Sequence, residues 1–313
     1  MAKLVFLDNV ERVSNSVVTV GTFDGVHEGH RVLVERVVQK ARVREARSVI
    51  VTFDPHPREI INPGAKGIKL LTSLQERCEI LEDFGIDLMV VIPFDRDFSL
   101  LSSEEFIEDI IHNKIGVSEF VIGYDHHFGK DRQGSIDTVQ RLGDKLGFDA
   151  YVVSKQEVGE TTVSSTAIRK TLREDGNVEL ARKLLGRDYR LSGTVIHGDR
   201  RGKSIGFPTA NLKADDERKL IPKDGVYAVR ARYNSKFWSG MMNIGTRPTF
   251  SGKERTLEVH LFDFEEDIYG QDLQVRFVKR IRDEQNFNSV DELIEQLNED
   301  KKIAQKVIKS YIH

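Results

Sequence analysis

The sequence predicts an α/β half with a doubly wound parallel sheet, followed by a mainly antiparallel β-barrel half with terminal helices. Three observations predict this fold class. Short apolar runs alternate with helical patterns through residue 153, long helical patterns are missing after residue 187, and helical spacing returns after Ser289. With 313 residues the chain also exceeds the roughly 250–300 residues at which one hydrophobic core stops growing.

In the first half, strands and helices recur at intervals of about 30 residues, the length of a βαβ unit. The predicted strands are nearly continuous apolar runs, typical of a parallel sheet covered on both faces, at residues 17–20, 49–53, 88–92, 120–122 and 150–153. Helical spacing occurs at residues 34–41, 74–84, 104–111, 138–146, 165–173 and 178–185. In such folds ligands bind at the carboxyl ends of the strands.

The second half reads as antiparallel strands without long helices between them, at residues 225–233, 236–244, 256–262 and 273–281. Asn234 and Ser235 suit a tight turn. Ser289 is the expected N-cap of a helix, and a helical tail follows at residues 301–312. We therefore expect a barrel-like domain closed by helices, with a boundary near Gly186 that separates domains 1–186 and 187–313.

The composition narrows the function classes. Lys and Arg number 47 against 50 Asp and Glu, so no overall basic excess attracts nucleic acid or an anionic membrane. No apolar run approaches the ~20 residues of a membrane span. A single cysteine, Cys78, excludes an internal disulfide and a cysteine-cluster zinc site. We expect a cytoplasmic monomer or weak homo-oligomer with no nucleic acid or membrane partner.

The segment GTFDGVHEGH at residues 21–30 carries the first candidate site, because it follows a predicted strand and opens a predicted helix. Backbone N–H groups at a helix start favour a phosphate, and the glycines at 21, 25 and 29 permit close backbone approach. His27 and His30 can share one helix face and donate hydrogen bonds to oxygens that gain charge during transfer.

Two other interpretations of this segment stay open at this point. His-Glu-Gly-His is one residue shorter than the zinc motif His-Glu-x-x-His and has no evident further ligand nearby. A glycine-rich turn with two exposed histidines is the other alternative. Farther along, Ser165 or Thr166 can cap a helix and offer a phosphate ligand, with Arg169 one turn later, although a plain capped helix has the same pattern.

The second half contains a different candidate site. The segment GDRRGKS at residues 198–204 is one residue short of a P-loop and lacks its βαβ context. Thr209 and Asn211 offer the hard oxygen ligands that Mg²⁺ prefers, although a proline-initiated turn would also explain them. Glu258 lies opposite the apolar face of its predicted strand, so it projects into a cleft or into solvent.

Taken together, these segments resemble the bifunctional riboflavin kinase/FAD synthetase family of the prokaryotic type. HEGH at 27–30 is similar to the HxGH signature of nucleotidyltransferases, and further N-terminal motifs are similar at residues 52–57, 123–134 and 164–169. GFPTANL at 206–212 resembles the riboflavin kinase signature. That resemblance continues at residues 225–228, 242–250, 256–262 and 281–287.

The resemblance implies a nucleotidyltransferase domain that makes FAD and pyrophosphate from FMN and ATP, and a kinase domain that makes FMN and ADP from riboflavin and ATP with Mg²⁺. The implied catalytic residues are Glu258 as base for the kinase, and His27, His30 and Arg169 for the transferase. The implied ATP and phosphate ligands are Gly21, Phe23, Asp24, Gly25, Gly29, Ser165, Thr166 and Lys203. The implied flavin ligands are Asp125, Arg282 and Glu284, and the implied metal ligands are Thr209 and Asn211.

Two rival functions remain at the level of sequence. The chain could be a flavin sensor that has kept its pockets and lost its chemistry, although the intact histidine motif and Glu258 argue against this. Alternatively, the first domain could adenylylate another acceptor, such as nicotinamide mononucleotide or phosphopantetheine. The kinase-like second half makes FMN the expected acceptor.

Overall fold

A computed structural model of the chain describes residues 2–61, 67–124, 129, 134–154, 163–198, 201–249 and 252–312. The chain forms two compact units, Met1–Ser165 and Thr166–His313. This division lies before the boundary predicted near Gly186, because the helices at Ser165–Lys170 and Val178–Leu185 belong, apart from Ser165 itself, to the second unit. Where the two functions separate stays a prediction. None of the helices in the described ranges is long and apolar enough to cross a membrane.

The first unit contains a six-stranded parallel sheet in the order β1-β4-β3-β2-β5-β6. Its strands are β1 (Lys3–Phe6), β2 (Ser16–Val20), β3 (Arg47–Asp54), β4 (Leu88–Pro93), β5 (Glu119–Gly123) and β6 (Asp149–Val153). Its helices are α1 (Glu28–Val43), α2 (Pro57–Ile61), α3 (Leu74–Asp83), α4 (Ser103–Glu105) and α5 (Ile136–Leu146), with 3₁₀ turns at Leu7–Asn9 and Phe98–Leu100. A π-helical stretch, Phe106–Ile115, continues α4 beyond the predicted end.

Both faces of this sheet are buried, which explains the continuous apolar runs. Successive side chains of a strand point to opposite faces, so Val18 packs in one apolar cluster and Val17 in the other. The first cluster includes side chains of the π-helical stretch and α5, and the second includes side chains of α1 and α3. The predicted doubly wound parallel sheet is confirmed.

The second unit is a closed antiparallel barrel in the order β10-β11-β8-β7-β12-β9. Its strands are β7 (Arg190–Ile196), β8 (Ala210–Ala214), β9 (Gly225–Tyr233), β10 (Lys236–Thr249), β11 (Gly252–Leu261) and β12 (Asp272–Arg282). Its helices are α6 (Ser165–Lys170, followed by a π-helical turn at Thr171–Asp175), α7 (Val178–Leu185), α8 (Arg201–Ser204) and α9 (Val290–Ile312). Asn234 and Ser235 both have positive φ, 46° and 64°, as the predicted tight turn between β9 and β10 requires.

Helix α9 covers one side of the barrel. The sequence predicts a helix after Ser289 and a separate helical tail, whereas the structure joins them into one helix, Val290–Ile312. The Ser289 hydroxyl accepts a hydrogen bond from the Glu292 N–H at 3.2 Å, as predicted for an N-cap. Ala304 and Ile308 pack in an apolar cluster with barrel side chains.

A buried carboxylate attaches α9 to the end of β12. Asp300 is fully buried and accepts hydrogen bonds from Arg282 Nε at 2.9 Å and Nη2 at 2.7 Å. Gln296 Nε2 donates a third bond to it at 3.0 Å. Removing one partner of a buried ion pair leaves the other charge uncompensated. Asp300 therefore holds both the helix and the guanidinium of Arg282.

We expect Asp300→Ala to lower the free energy of unfolding of the second unit by about 3–5 kcal/mol, because Arg282 loses its buried counter-charge. The fluorescence of Trp238, the single tryptophan of the chain, reports this transition in a denaturant melt. The matched control is the exposed neighbour Glu299→Ala, which should change stability by no more than about 0.5 kcal/mol. Equal losses in both variants would contradict the anchoring role of Asp300.

Two candidate active sites

The glycine-rich segment begins at the carboxyl end of β2, where the sheet order reverses. β2 pairs with β3 on one side and with β5 on the other. The chain winds outward from β2 through β3 and β4, and β5 and β6 then extend the opposite side. Such a reversal opens a crevice at the carboxyl ends of the strands. The structure therefore places residues 21–30 where an open α/β sheet binds its ligand.

The turn after β2 has an unusual backbone that its own side chains stabilise. Phe23 (φ 44°), Gly25 (φ 85°) and Val26 (φ 36°) all lie in the left-handed region. For residues other than glycine this conformation costs about 1–3 kcal/mol each. The side chains of Phe23 and Val26 are only 1% exposed and pack in the core beside α1. Their burial offsets the strain of these backbone conformations.

Asp24, predicted as a phosphate ligand, supports the turn from inside. Its carboxylate is fully buried and accepts hydrogen bonds from the N–H of Leu71 at 2.9 Å and of Thr72 at 3.0 Å. The Thr72 hydroxyl donates a further bond at 3.2 Å. The oxygens of Asp24 are thus engaged below the turn, and its role in phosphate binding stays a prediction.

His27 and His30 come together as predicted. Their rings stack with centroids 3.7 Å apart and planes inclined by 15°, and the His30 N–H donates to the His27 carbonyl at 2.7 Å. A Cβ on Gly29 would lie 3.0 Å from the Val163 carbonyl oxygen, so glycine allows this close approach. Within the described ranges, no three His, Cys, Asp or Glu side chains cluster closely enough to hold a metal ion. The stacked pair lies at the start of α1, beside the glycine-rich turn, and its role in transfer stays a prediction.

The Ser165 segment reaches the same turn. Ser165 Oγ donates a hydrogen bond to the Asp24 carbonyl at 2.9 Å, which brings the predicted phosphate-binding serine beside the glycine-rich segment. Thr166 is exposed, and Arg169 is half-buried one helical turn after Ser165. Both belong to the second compact unit, and their phosphate-binding roles stay predictions. Asp125, predicted to bind flavin, lies outside the described residues.

The barrel carries the second site as a polar row across three strands. Asn211 on β8 pairs directly with Glu258 on β11, and Glu258 pairs with Asn243 on β10. Directly opposed residues in a sheet extend from the same face, and all three are half-buried. Thr209 Oγ1 lies 3.4 Å from Glu258 Oε2, at the long limit of a hydrogen bond. The predicted base and both predicted metal ligands are thus neighbours.

Two glycines bring the preceding loop against this row. A Cβ on Gly198 would lie 2.0 Å from Asn211 Nδ2, and one on Gly202 would lie 2.2 Å from the Phe207 carbonyl oxygen. Any larger residue at either position would clash, so glycine is needed for the close packing of this loop. The Thr209 hydroxyl and the Asn211 carboxamide oxygen are hard ligands of the kind that fit Mg²⁺. The Lys203 side chain is outside the described part of the structure, and its phosphate-binding role stays a prediction.

The two predicted flavin ligands of the barrel have different surroundings. Arg282 is held by Asp300, and its Nη1 also donates to the Asp283 carbonyl at 2.9 Å. Glu284 is exposed, and its Oε1 would lie 2.1 Å from a Cβ on Gly245, beside Asn243. The site prediction did not include Asn243. Its signal in the sequence was its place within the kinase-like segment at residues 242–250.

His260 follows Glu258 on the same strand face but is buried. Its ring is 6% exposed, and the Nδ1–H donates to the Pro208 carbonyl at 2.7 Å. Phe207 and Phe262 pack against the ring with centroids 5.2 and 5.7 Å away. Burial lowers the pKa of His260 below its ordinary value, although the bond to Pro208 opposes this shift. The residue supports the turn before Thr209 from below.

The turn at the reversal of the parallel sheet and the polar row on the closed barrel suit a two-domain transferase with a separate site for phosphate chemistry in each domain. Comparison with known families agrees with this class. The family described as FAD synthetase matches residues 9–167, and the family described as Riboflavin kinase matches residues 185–308. The chain belongs to the bifunctional riboflavin kinase/FMN adenylyltransferases, with the FAD synthetase domain first and the kinase domain second.

Individual relatives match over nearly their whole length. The bifunctional riboflavin kinase/FMN adenylyltransferase of Escherichia coli K12 is 40% identical, covering 93% of this chain and 92% of the relative. The corresponding protein of Bacillus subtilis 168 is 37% identical, covering 94% and 93%. A solved structure from Streptococcus pneumoniae, described as a macrolide-efflux protein, has a TM-score of 0.87 at 33% identity, covering 96% of this chain and 98% of that one.

The lowered pKa of His260 predicts a pH dependence of stability. The unfolded residue takes up a proton near pH 6.5, and the folded residue does so only at lower pH. Its contribution is therefore complete above about pH 6.5 and is lost as the pH falls toward the folded pKa. We expect thermal melts between pH 5 and 8 to show a smaller loss of stability on acidification in His260→Gln than in the wild type. An unchanged slope would contradict this origin, and His112→Gln is the control.

Proposed function

We propose that the second unit transfers the γ-phosphoryl group of ATP to the terminal ribityl hydroxyl of riboflavin, and that the first unit transfers AMP from ATP to the resulting FMN. The observation that carries the proposal is that each unit assembles its own reactive cluster. His27 stacks on His30 in the first unit, and Glu258 lies beside Thr209 and Asn211 in the second. One chain thus has a site for each of two successive steps.

In the kinase step, the ribityl oxygen forms a bond to the γ-phosphorus, the bond to ADP breaks, and Glu258 accepts the hydroxyl proton. A positioned base of this kind contributes about 10²–10⁴-fold in rate. Thr209 and Asn211 would hold Mg²⁺, which supplies charge neutralisation at the phosphate oxygens when bound. We assign Lys203 to the ATP phosphates, and Arg282 and Glu284 to the flavin, with Arg282 held in place by Asp300.

In the adenylyl step, a phosphate oxygen of FMN forms a bond to the α-phosphorus of ATP, and pyrophosphate leaves. No covalent enzyme intermediate is needed, because positioning and charge stabilisation are sufficient for this class of transfer. We assign the histidine pair and Arg169 to the developing negative charge. The phosphate ligands are assigned to the glycine-rich segment at Gly21, Phe23, Gly25 and Gly29 and to Ser165 and Thr166. Asp125 is assigned to FMN.

We further propose that the functional boundary lies near Gly186, that the chain works in the cytoplasm, and that it is a monomer or weak homo-oligomer. The first family match ends at residue 167 and the second begins at residue 185, which supports a boundary close to Gly186. The single cysteine is typical of a reducing compartment.

The experiment that tests the proposed function uses the whole chain with riboflavin, ATP and Mg²⁺, followed by chromatographic separation of the flavins. We expect FMN to form first and FAD to follow. Absence of both products would contradict the assignment and favour a flavin sensor. Formation of FMN without FAD would favour another acceptor, and nicotinamide mononucleotide and phosphopantetheine are then the acceptors to assay.

We expect His30→Ala to lower FAD formation from supplied FMN by at least about 10²-fold, because donors to a developing charge act mainly in the transition state. Riboflavin phosphorylation, measured in the same preparation, should stay near the wild-type rate. His112→Ala, a change of the same size elsewhere in the first unit, is the matched control and should leave both rates unaltered. Full adenylylation by His30→Ala would remove this histidine from the mechanism.

Glu258→Gln keeps the size of the side chain and removes its basicity. We expect FMN formation at saturating substrates to fall by ~10²-fold or more, with a much smaller change in riboflavin affinity. Adenylylation of supplied FMN should continue at the wild-type rate. Glu265→Gln, an exposed position in the same unit, serves as the control. Near-normal kinase turnover would exclude Glu258 as the base, and a parallel loss of both activities would indicate misfolding.

A further inference from the structure

Arg77 on α3 is a charged side chain in the interior of the first unit. It is 3% exposed, and its Nη1 donates a hydrogen bond to Thr52 Oγ1 at 2.9 Å. Its Nε lies 3.5 Å from Thr72 Oγ1, and its Nη2 lies 3.8 Å from Asp24 Oδ1. Burying a guanidinium is costly unless its partners are well placed. An apolar side chain of similar volume would fill the same space without that cost. The hydrogen-bond donors of the guanidinium are therefore what distinguishes arginine at this position.

The partners of Arg77 connect it to both ends of the strained turn. Thr52 Oγ1 donates to the Thr22 carbonyl at 2.9 Å, which links the guanidinium to the start of the turn. Thr72 Oγ1 accepts the Gly25 N–H at 3.0 Å, which links it to the end. Asp24 lies between these two points, at the centre of the turn. The Arg77 side chain therefore contacts the three groups that hold residues 22, 24 and 25: the hydroxyls of Thr52 and Thr72 and the carboxylate of Asp24.

We propose that Arg77 is a positioning residue for adenylyl transfer, which sets the shape of the turn at residues 22–25 and thereby the placement of the histidine pair and the helix start that follow it. This inference rests on the adenylyl-transfer function proposed for the first unit. The turn includes left-handed conformations at Phe23 and Val26, which relax when the surrounding constraints are removed. A displacement of about 1 Å in a positioning group can cost about 10²-fold in rate.

Arg77→Met removes the donors and keeps an unbranched side chain, and Arg47→Met is its matched control. Arg47 is also partly buried in the first unit, and burial lowers its pKa. It donates to Ser16 Oγ at 3.3 Å and to the Glu11 carbonyl at 3.1 Å. It lies at the start of β3, about 16 Å along the strand from Thr52. Both changes remove hydrogen bonds of an arginine in the first unit, and only Arg77→Met affects the turn.

The measurement is kcat and KM for FAD formation from FMN and ATP, corrected for the folded fraction by circular dichroism melts. We expect kcat per folded molecule to fall by about 10–100-fold in Arg77→Met and to stay within about twofold of wild type in Arg47→Met. Riboflavin phosphorylation in the same chain should be unchanged in both. Arg77→Lys, which keeps the charge and fewer donors, should restore part of the lost kcat.

Thr52→Val keeps the test decisive if Arg77→Met does not fold, because it removes one hydroxyl at nearly constant volume. We expect a smaller fall in kcat for this variant, and less than additive losses when both changes are combined. The inference would be overturned, and the proposed function left intact, if Arg77→Met had the wild-type kcat and KM per folded molecule. If Arg77→Met does not fold, the same result in Thr52→Val would overturn it. A wild-type chain that makes FMN and no FAD would overturn the proposed adenylyl transfer itself, and the inference with it.

Discussion

Burying a carboxylate is costly unless donors surround it, and each unit places one such group beside its candidate site. Asp24 lies under the turn of the first unit and is bound by backbone N–H groups of residues 71 and 72. Asp300 lies under the end of β12 and is bound by Arg282 and Gln296. Because neither carboxylate can move without losing these bonds, each fixes the chain segment that carries functional groups above it.

The two sites use different parts of the chain for related chemistry. The first lies at the start of helix α1, a position that favours an anion through the helix dipole. The second presents side chains from opposed positions of neighbouring strands, where the ladder register aligns Asn211, Glu258 and Asn243. A helix start beside a histidine pair suits the transfer of AMP to a phosphate oxygen, because this transfer needs no base. A carboxylate in a polar row suits a hydroxyl acceptor, which must lose a proton.

Secondary structure was predictable wherever one periodicity dominated. The buried strands of the sheet were found because both of their faces are apolar. The first strand, Lys3–Phe6, has only four residues at the edge of the sheet, and its pattern is too short to stand out. The extension of α4 into a π-helical stretch was missed because the sequence pattern reports apolar spacing and not hydrogen-bond geometry. The break predicted between two C-terminal helices does not exist, because apolar contacts with the barrel continue through Ala304 and Ile308.

By itself, the sequence determined the fold class of both halves and the segments that carry the sites, because periodicity and turn chemistry are local properties of the chain. It also determined the candidates His27, His30 and Glu258 through their residue types and spacing. Only the tertiary structure decided that Asp24 supports the turn from below, that Asp300 holds Arg282, and that Arg77 reaches both ends of the turn. These assignments depend on contacts between segments far apart in sequence, such as Asp24 with residues 71 and 72. Local patterns hold no information on which distant donor will satisfy a buried charge.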